Sequence, residues 1–305
     1  MIRLLLALLL LLAAPISAQP AVPPPARAQP PVWVIRDADT ELTLFATVHA
    51  LPAGVDWFSP EAQRRFDAAG RLIVETKLPD DRFALAPIIE QLGIDANLPP
   101  LKERLDAATY ATLAKTAAEL RIPMPALDRM RPWLVSITLG EAVLTRAGVS
   151  AGAGVEVALL ARAAKQDKPL VALESAQEQL GFFAGLPEAD QKAMLTSTLT
   201  DIPEARAEVA AMVALWQKGD MDGIARDFAS EAKASPKLHE VLLAGRNRRW
   251  AHFLVSEMAR PGKSFLAVGA GHFGGPDGLL ALLAARGFPA QRLPLPTPPP
   301  KSRRR

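Results

Sequence analysis

Two short apolar runs, residues 32–35 and 41–48, flank the polar stretch 36–40, a pattern that predicts a β-hairpin with a longer loop. The second run delivers His49. Ser59, Pro60 and Glu61 then supply an N-cap, a first-turn proline and a first-turn acid, and Gly70 a stop, so a helix is expected over 60–69. Residues 71–76 hold the apolar run Leu72-Ile73-Val74 and end in a carboxylate at Glu75, which reads as a buried strand. From 81 to 148 the period turns helical, with breaks at Gly93, Pro99-Pro100, 123–125 and Arg131-Pro132 that predict three or four helices. A further helix is expected over 152–165, then a strand over 169–174 that again ends in an acid, Glu174, with Ser175 capping the next helix. Residues 178–260 are mostly helical, and the last of these helices is long.

A final buried strand is expected at 264–268, followed by Gly269-Ala270-Gly271-His272, a helix over 276–286 stopped by Gly287, and a short strand at 291–293. Strand, histidine, proline-headed helix, glycine stop and strand thus occur at 42–75 and again at 264–293. That echo predicts an α/β (α+β) fold: a central mixed sheet of two related β-α-β halves, with a large helical insertion at about 81–260.

Composition changes the picture mainly at the ends. Half of the 305 residues are apolar, enough to exclude disorder for the body, and 32–293 reads as one domain. Prolines crowd into 19–31 and 293–300, so 19–31 reads as a linker and 294–305 as a disordered basic tail. The net charge of +3 comes from those ends: without Arg3, Arg27, Lys301 and Arg303 to Arg305 the body is negative, and no nucleic-acid surface is expected. Arg3, the apolar run 4–14 and Pro15 to Ala18 read as a signal peptide cleaved after Ala18, implying a periplasmic or secreted protein with no membrane span after cleavage. The chain has no cysteine, which excludes disulfides, thiolate metal sites and a cysteine nucleophile.

Several motifs fail on context. Residues 269–274 fit G-x-G-x-x-G, but no ribose-binding acid stands about twenty residues on. Residues 148–152 fit G-x-S-x-G without a strand in front, and His239-Glu240 begins H-E-x-x-H but meets Leu243. His239 and His252 read as surface or groove histidines of a helix. His49 and His272 each follow an apolar strand, where open α/β sheets gather ligand-binding groups. With Glu75 and Glu174 they could converge on one rim, a donor mix suited to Mn, Co or Zn, or each could satisfy a loop carbonyl instead. Spacing alone leaves both readings open.

Taken in order, Leu44 to His49 with Asp56-Trp57, Leu72 to Thr76, Pro132-Trp133, Gly154-Val155-Glu156, Lys168-Pro169 with Leu173-Glu174 and Glu178-Gln179, Arg246-Asn247 with Trp250, and Gly269 to His272 with Gly278 to Leu280 resemble the TraB/GumN family, to which the TIKI metalloproteases are similar. The family pattern has two G-x-x-H motifs with a glutamate after the first; here Ala46 replaces the first glycine, where its methyl is expected to exclude a positive φ. The resemblance implies a metal-dependent hydrolase, peptidase-like, acting on a peptide or other small amide or ester. It implies His49, Glu75 and His272 as metal ligands, Glu75, Arg246 and Asn247 as catalytic groups, and Glu156 and Glu174 as secondary candidates. A metal-bound water would be the nucleophile, a glutamate its base and Arg246 the oxyanion partner. The competing reading is a non-catalytic binding or regulatory protein on the same scaffold, serving conjugation signalling or exopolysaccharide handling. Arg246 and Asn247 then bridge the insertion to the sheet.

Overall fold

Six strands make one mixed sheet: β1 Val32–Arg36, β2 Thr40–Thr47, β3 Arg71–Thr76, β4 Leu170–Glu174, β5 Gly262–Gly269 and β6 Gln291–Arg292, in the order β4-β3-β5-β2-β1-β6. The computed structural model describes residues 30–49, 51, 55–77, 82–146 and 154–294. The expected leader, the 148–152 turn and the basic tail lie outside the described residues, as does most of the proline-rich 19–31 stretch.

β1 and β2 form the expected antiparallel hairpin, with Val32 opposite Phe45 and Arg36 opposite Glu41. β2, β5, β3 and β4 are mutually parallel, and β5 lies between β2 and β3, with Thr40 to Thr47 in register with Gly262 to Gly269. The two halves are both β-α-β crossovers, but they leave the sheet centre in opposite directions: β2 crosses to β3 on one side, and β5 to β6, antiparallel to β1, on the other. Their C-terminal ends are therefore neighbours. Residues 42, 44, 45, 46, 265, 266, 267 and 268 are all fully buried, as expected for a parallel sheet covered on both faces. Phe45 packs on Phe265, and Phe66 of helix Pro60–Ala68 sits edge-on over Phe265 at 5.3 Å. That helix starts as its sequence dictates, with the Ser59 hydroxyl accepting from the Ala62 N–H and Pro60 at its first position.

The helical region is more finely divided than its periodicity suggests. Residues 86–146 form five helices rather than three or four, Ala86–Gly93, Leu101–Arg104, Ala107–Leu120, Met124–Asp128 and Pro132–Arg146, because prolines at or next to most of the starts forbid continuous helix. Part of this region has its own core, built on Leu101, Leu113, Leu127, Val135, Leu139, Leu195 and Leu199. After β4, the Ser175 and Glu178 side chains close a full capping box on helix Ala176–Ala184. The expected long last helix runs from Pro236 to Met258 but contains a π-helical turn at Glu240–Ala244. The helix expected from Pro276 begins only at Leu279. Gly275 turns with φ +77°, and the chain folds so tightly at Gly278 that a Cβ there would lie 2.3 Å from the Gly274 carbonyl oxygen, so 273–278 is a loop. No helix among the described residues is long and apolar enough to cross a membrane.

Candidate functional site

His49 and His272 emerge from β2 and β5, the adjacent parallel strands at the centre of the sheet, and Glu75 and Glu174 end β3 and β4 on the same side. Helix Val155–Lys165 brings Glu156, and helix Gly245–Met258 brings Arg246, Asn247 and Trp250. The fold thus gathers every candidate metal-ligating or catalytic residue named from the sequence, and each is at most 5% exposed.

Arg246 stands at the middle. Its Nη2 donates to Glu75 Oε2 at 2.8 Å, its Nε lies 3.0 Å from both oxygens of Glu174, and its Nη1 donates to the Leu242 carbonyl at 3.1 Å. The same Nη1 is 3.3 Å from His272 Nε2. The guanidinium lies over the Trp250 ring at 4.6 Å, and Trp250 Nε1 donates to Glu174 Oε1 at 3.0 Å. Burial pushes the guanidinium toward neutrality, but the charges and hydrogen bonds of Glu75 and Glu174 more than offset this and hold its pKa above the ordinary arginine value. Glu174 moves upward: its burial and the nearby Glu75 charge outweigh the pull of Arg246.

Asn247 fixes the second histidine. Its Nδ2 donates to the Asp277 carbonyl at 2.8 Å, which aims its Oδ1 at His272 Nδ1, 2.6 Å away. His272 must then carry its proton on Nδ1 and present the Nε2 lone pair to Arg246. Complete burial, then the Arg246 charge, holds its pKa well below the ordinary histidine value, so the ring is neutral. The Trp250 ring covers it at 4.4 Å. The π turn presents this pair: it inserts one residue ahead of Arg246, and a Cβ on Gly245 would meet the Glu240 carbonyl at 2.9 Å, so the turn needs a glycine there.

His49 forms a second unit. Its Nδ1 lies 3.2 Å from Glu156 Oε1, which also accepts from the Thr47 hydroxyl. Burial raises the Glu156 pKa, but the adjacent His49 and Thr47 side chains outweigh it, and the carboxyl sits below the ordinary glutamate value. The Nε2 edge of His49 turns toward the Gly269 backbone, where a built Cβ would be 3.3 Å from it, 3.1 Å from Glu75 Oε1 and 3.8 Å from His272 Cδ2. Gly269 is therefore the wall on which the two units meet.

Sequence reasoning did not identify Thr47, the Gly269 N–H that donates to Glu75 Oε1 at 2.7 Å, or the Asp277 carbonyl. Backbone groups carry no residue signature, and Thr47 meets Glu156 across 109 positions of sequence. The Ala46 substitution proves compatible with the backbone. Ala46 is an extended β2 residue paired with Val268, its carbonyl accepts from Trp216 Nε1 at 2.8 Å, and Arg121 and Asp167 are the non-glycine residues with positive φ among those described. The remaining glycines of 269–274 are packing residues. A Cβ on Gly271 would lie 2.7 Å from Phe228, and one on Gly274 would lie 2.5 Å from Ala225, so helix Met221–Ala234 covers the backbone that a dinucleotide would need. His252 is exposed, and His239 pairs with Asp277 at 3.6 Å.

The chain matches the TraB/PrgY/gumN family over residues 31–292. It belongs to that family. Among curated proteins it is 29% identical over 217 residues to uncharacterized protein YbaP of Escherichia coli (strain K12), covering 70% of this chain and 80% of that one, and equally to YbaP of Shigella flexneri. An uncharacterized protein of Treponema pallidum (strain Nichols) is 22% identical over 271 residues, covering 83% of this chain and 80% of its own length. No solved structure matches. In this family member the divalent ion that the resemblance implies does not fit the donors as they stand. Among the described residues no group of three or more His, Asp or Glu side chains is spaced to hold a metal ion. The hydrogen bonds give the reason: Arg246 faces the His272 lone pair and one Glu75 oxygen, and the Gly269 N–H holds the other.

Proposed function

We propose that the chain is an exported hydrolase of peptide or other small amide or ester bonds, with His49 as its base and Arg246 as its cation. The observation that carries this reading is the His49–Glu156 pair. A carboxylate 3.2 Å from Nδ1 favours a proton on that nitrogen and stabilises the imidazolium once it forms. In the first step Nε2 takes a proton from a water whose oxygen attacks the scissile carbonyl carbon. In the second, the imidazolium returns that proton to the departing nitrogen or oxygen as the C–N or C–O bond breaks. The fixed positive charge of Arg246 favours the negative oxygen that develops between the two steps, and it acts strongly because the side chain is buried. Asn247 and Glu75 act as positioning residues, one on His272 and the other on the Gly269 backbone and Arg246. A cavity of about 210 Å³, lined in part by Arg249, Trp250 and Phe253, borders the Glu174 end of the cluster.

Export rests on the leader pattern of residues 1–18, and release from the leader leaves no other expected span. A screen of the mature protein on peptide and ester libraries tests the chemistry. Turnover is expected in the wild type, with kcat lowered by roughly 10²–10⁴-fold in His49→Gln and by a smaller factor in Glu156→Gln. A folded His49→Gln protein that turns over at the wild-type rate removes the base from this reading. One observation favours the second reading, a binding or regulatory protein without turnover. The principal donors and acceptors of Arg246, Glu75 and Glu174 satisfy one another, which is how a structural bridge between insertion and sheet would be built.

A further inference from the structure

We infer that Arg246 stands in the place of a divalent metal ion, so that the native site is metal-independent and removal of the guanidinium opens a metal site. Around its nitrogens lie Glu75 Oε2 at 2.8 Å, both Glu174 oxygens at 3.0 Å and His272 Nε2 at 3.3 Å, a mixed oxygen and nitrogen set drawn from three different strand ends. That is the donor chemistry that Mn, Co and Zn select. The guanidinium neutralises the two carboxylates as a cation would, and it does so permanently, held on its faces by Trp250 at 4.6 Å and Phe182 at 5.7 Å. His272 is already committed to the right tautomer: its Nδ1 is tied to Asn247, and Nε2 carries the lone pair that a metal would take. With Arg246 present an incoming dication meets a buried positive charge a few ångströms from every one of these donors, and repulsion excludes it. With Arg246 truncated, two carboxylates and an imidazole face an emptied volume in a buried interior. That arrangement is costly for the protein and favourable for a small cation.

This inference rests on the same cluster being the working site, but its readout needs no turnover. Co²⁺ is the probe, titrated into the mature wild type, Arg246→Ala and Arg246→Ala/His272→Ala, each first stripped with chelator, with visible d–d absorption reporting ordered coordination and dialysis reporting stoichiometry. Wild type is expected to bind no Co²⁺ in a coordinated site, Arg246→Ala to bind one equivalent and rise in midpoint of unfolding with added Co²⁺, and the double variant to lose both effects. If Arg246→Ala does not fold, Arg246→Ser takes its place, since its hydroxyl can bond back to the Leu242 carbonyl that Arg246 now occupies. Coordinated Co²⁺ in the wild type that disappears in His49→Ala or His272→Ala overturns the inference, as does a folded truncation variant that binds none. If these variants behave as expected while no library substrate is turned over, the hydrolase reading fails and the arginine assignment stands.

Discussion

Gly269 carries more of the site than either histidine's own neighbours suggest. Its backbone angles, φ −54° and ψ 140°, are open to any residue, so glycine is not required there by conformation. What requires it is space: a methyl would press on Glu75 Oε1 at 3.1 Å and on His49 Nε2 at 3.3 Å. Gly269→Ala is therefore expected to fold, to lose about 1–3 kcal/mol of stability through overpacking, and to lose at least tenfold in turnover as His49 or Glu75 is displaced. Denaturant unfolding and library kinetics on the same preparation check this, and wild-type turnover in Gly269→Ala would show that the His49 edge is not the reacting one. Ala46, the other departure at this scale, follows the opposite logic. Its methyl lies in a regular strand and is fully buried, so the glycine expected from the family pattern is dispensable here.

At the scale of elements, much was legible because local chemistry dictated it. Ser59-Pro60-Glu61 and the pair Ser175 and Glu178 announce helix starts through groups that satisfy orphan N–H donors, and both starts occur where those residues stand. The acids that end β3 and β4 were visible as carboxylates closing apolar runs. The π turn was not visible, since Glu240 to Ala244 has the composition of ordinary helix and only Gly245 marks it. Pro276 misled for a related reason: a proline suits a helix start, but the crowding at Gly278 that delays the helix is a property of the folded loop. Helix Pro132–Arg146 makes its own prediction through Glu141, whose burial pushes its carboxyl up to about 7. A carboxyl with a raised folded pKa binds its proton more tightly in the native state, so its contribution is complete below about 4.5 and is lost as pH rises through about 7. Glu141→Gln should flatten the fall in stability over that window, measured as the midpoint of urea unfolding at a series of pH values. An unchanged slope would mean that the side chain is solvated.

Across the whole molecule, the site depends on pairings that no local pattern contains. That β2 and β5 are neighbours follows from the sheet order, and it is this order that sets His49 beside His272 although 222 residues separate them. The sequence echo between the two halves correctly suggested that they share a sheet, but not that they leave its centre in opposite directions. Nor could spacing show that Asn247 would hold His272 rather than face a substrate, because that contact depends on the helix, the loop at Asp277 and β5 arriving together. The result is a buried assembly whose charge state is fixed by packing. His272 is neutral there, and since the unfolded chain takes up a proton near 6.5 that the native ring refuses, its contribution to stability is present above that pH and lost as pH falls below it.

The measurement that tests this most directly is a pH series of long-range ¹⁵N–¹H correlation spectra on histidine-labelled mature protein, with His49→Gln and His272→Gln for assignment. The arrangement predicts that His272 stays in the neutral Nδ1–H tautomer throughout the folded range, with Nε2 unprotonated beside Arg246, and that the spectrum is unchanged by chelator. A His272 that titrates near 6.5, or that carries its proton on Nε2, would contradict the arginine-centred site and return His272 to the pool of free metal ligands.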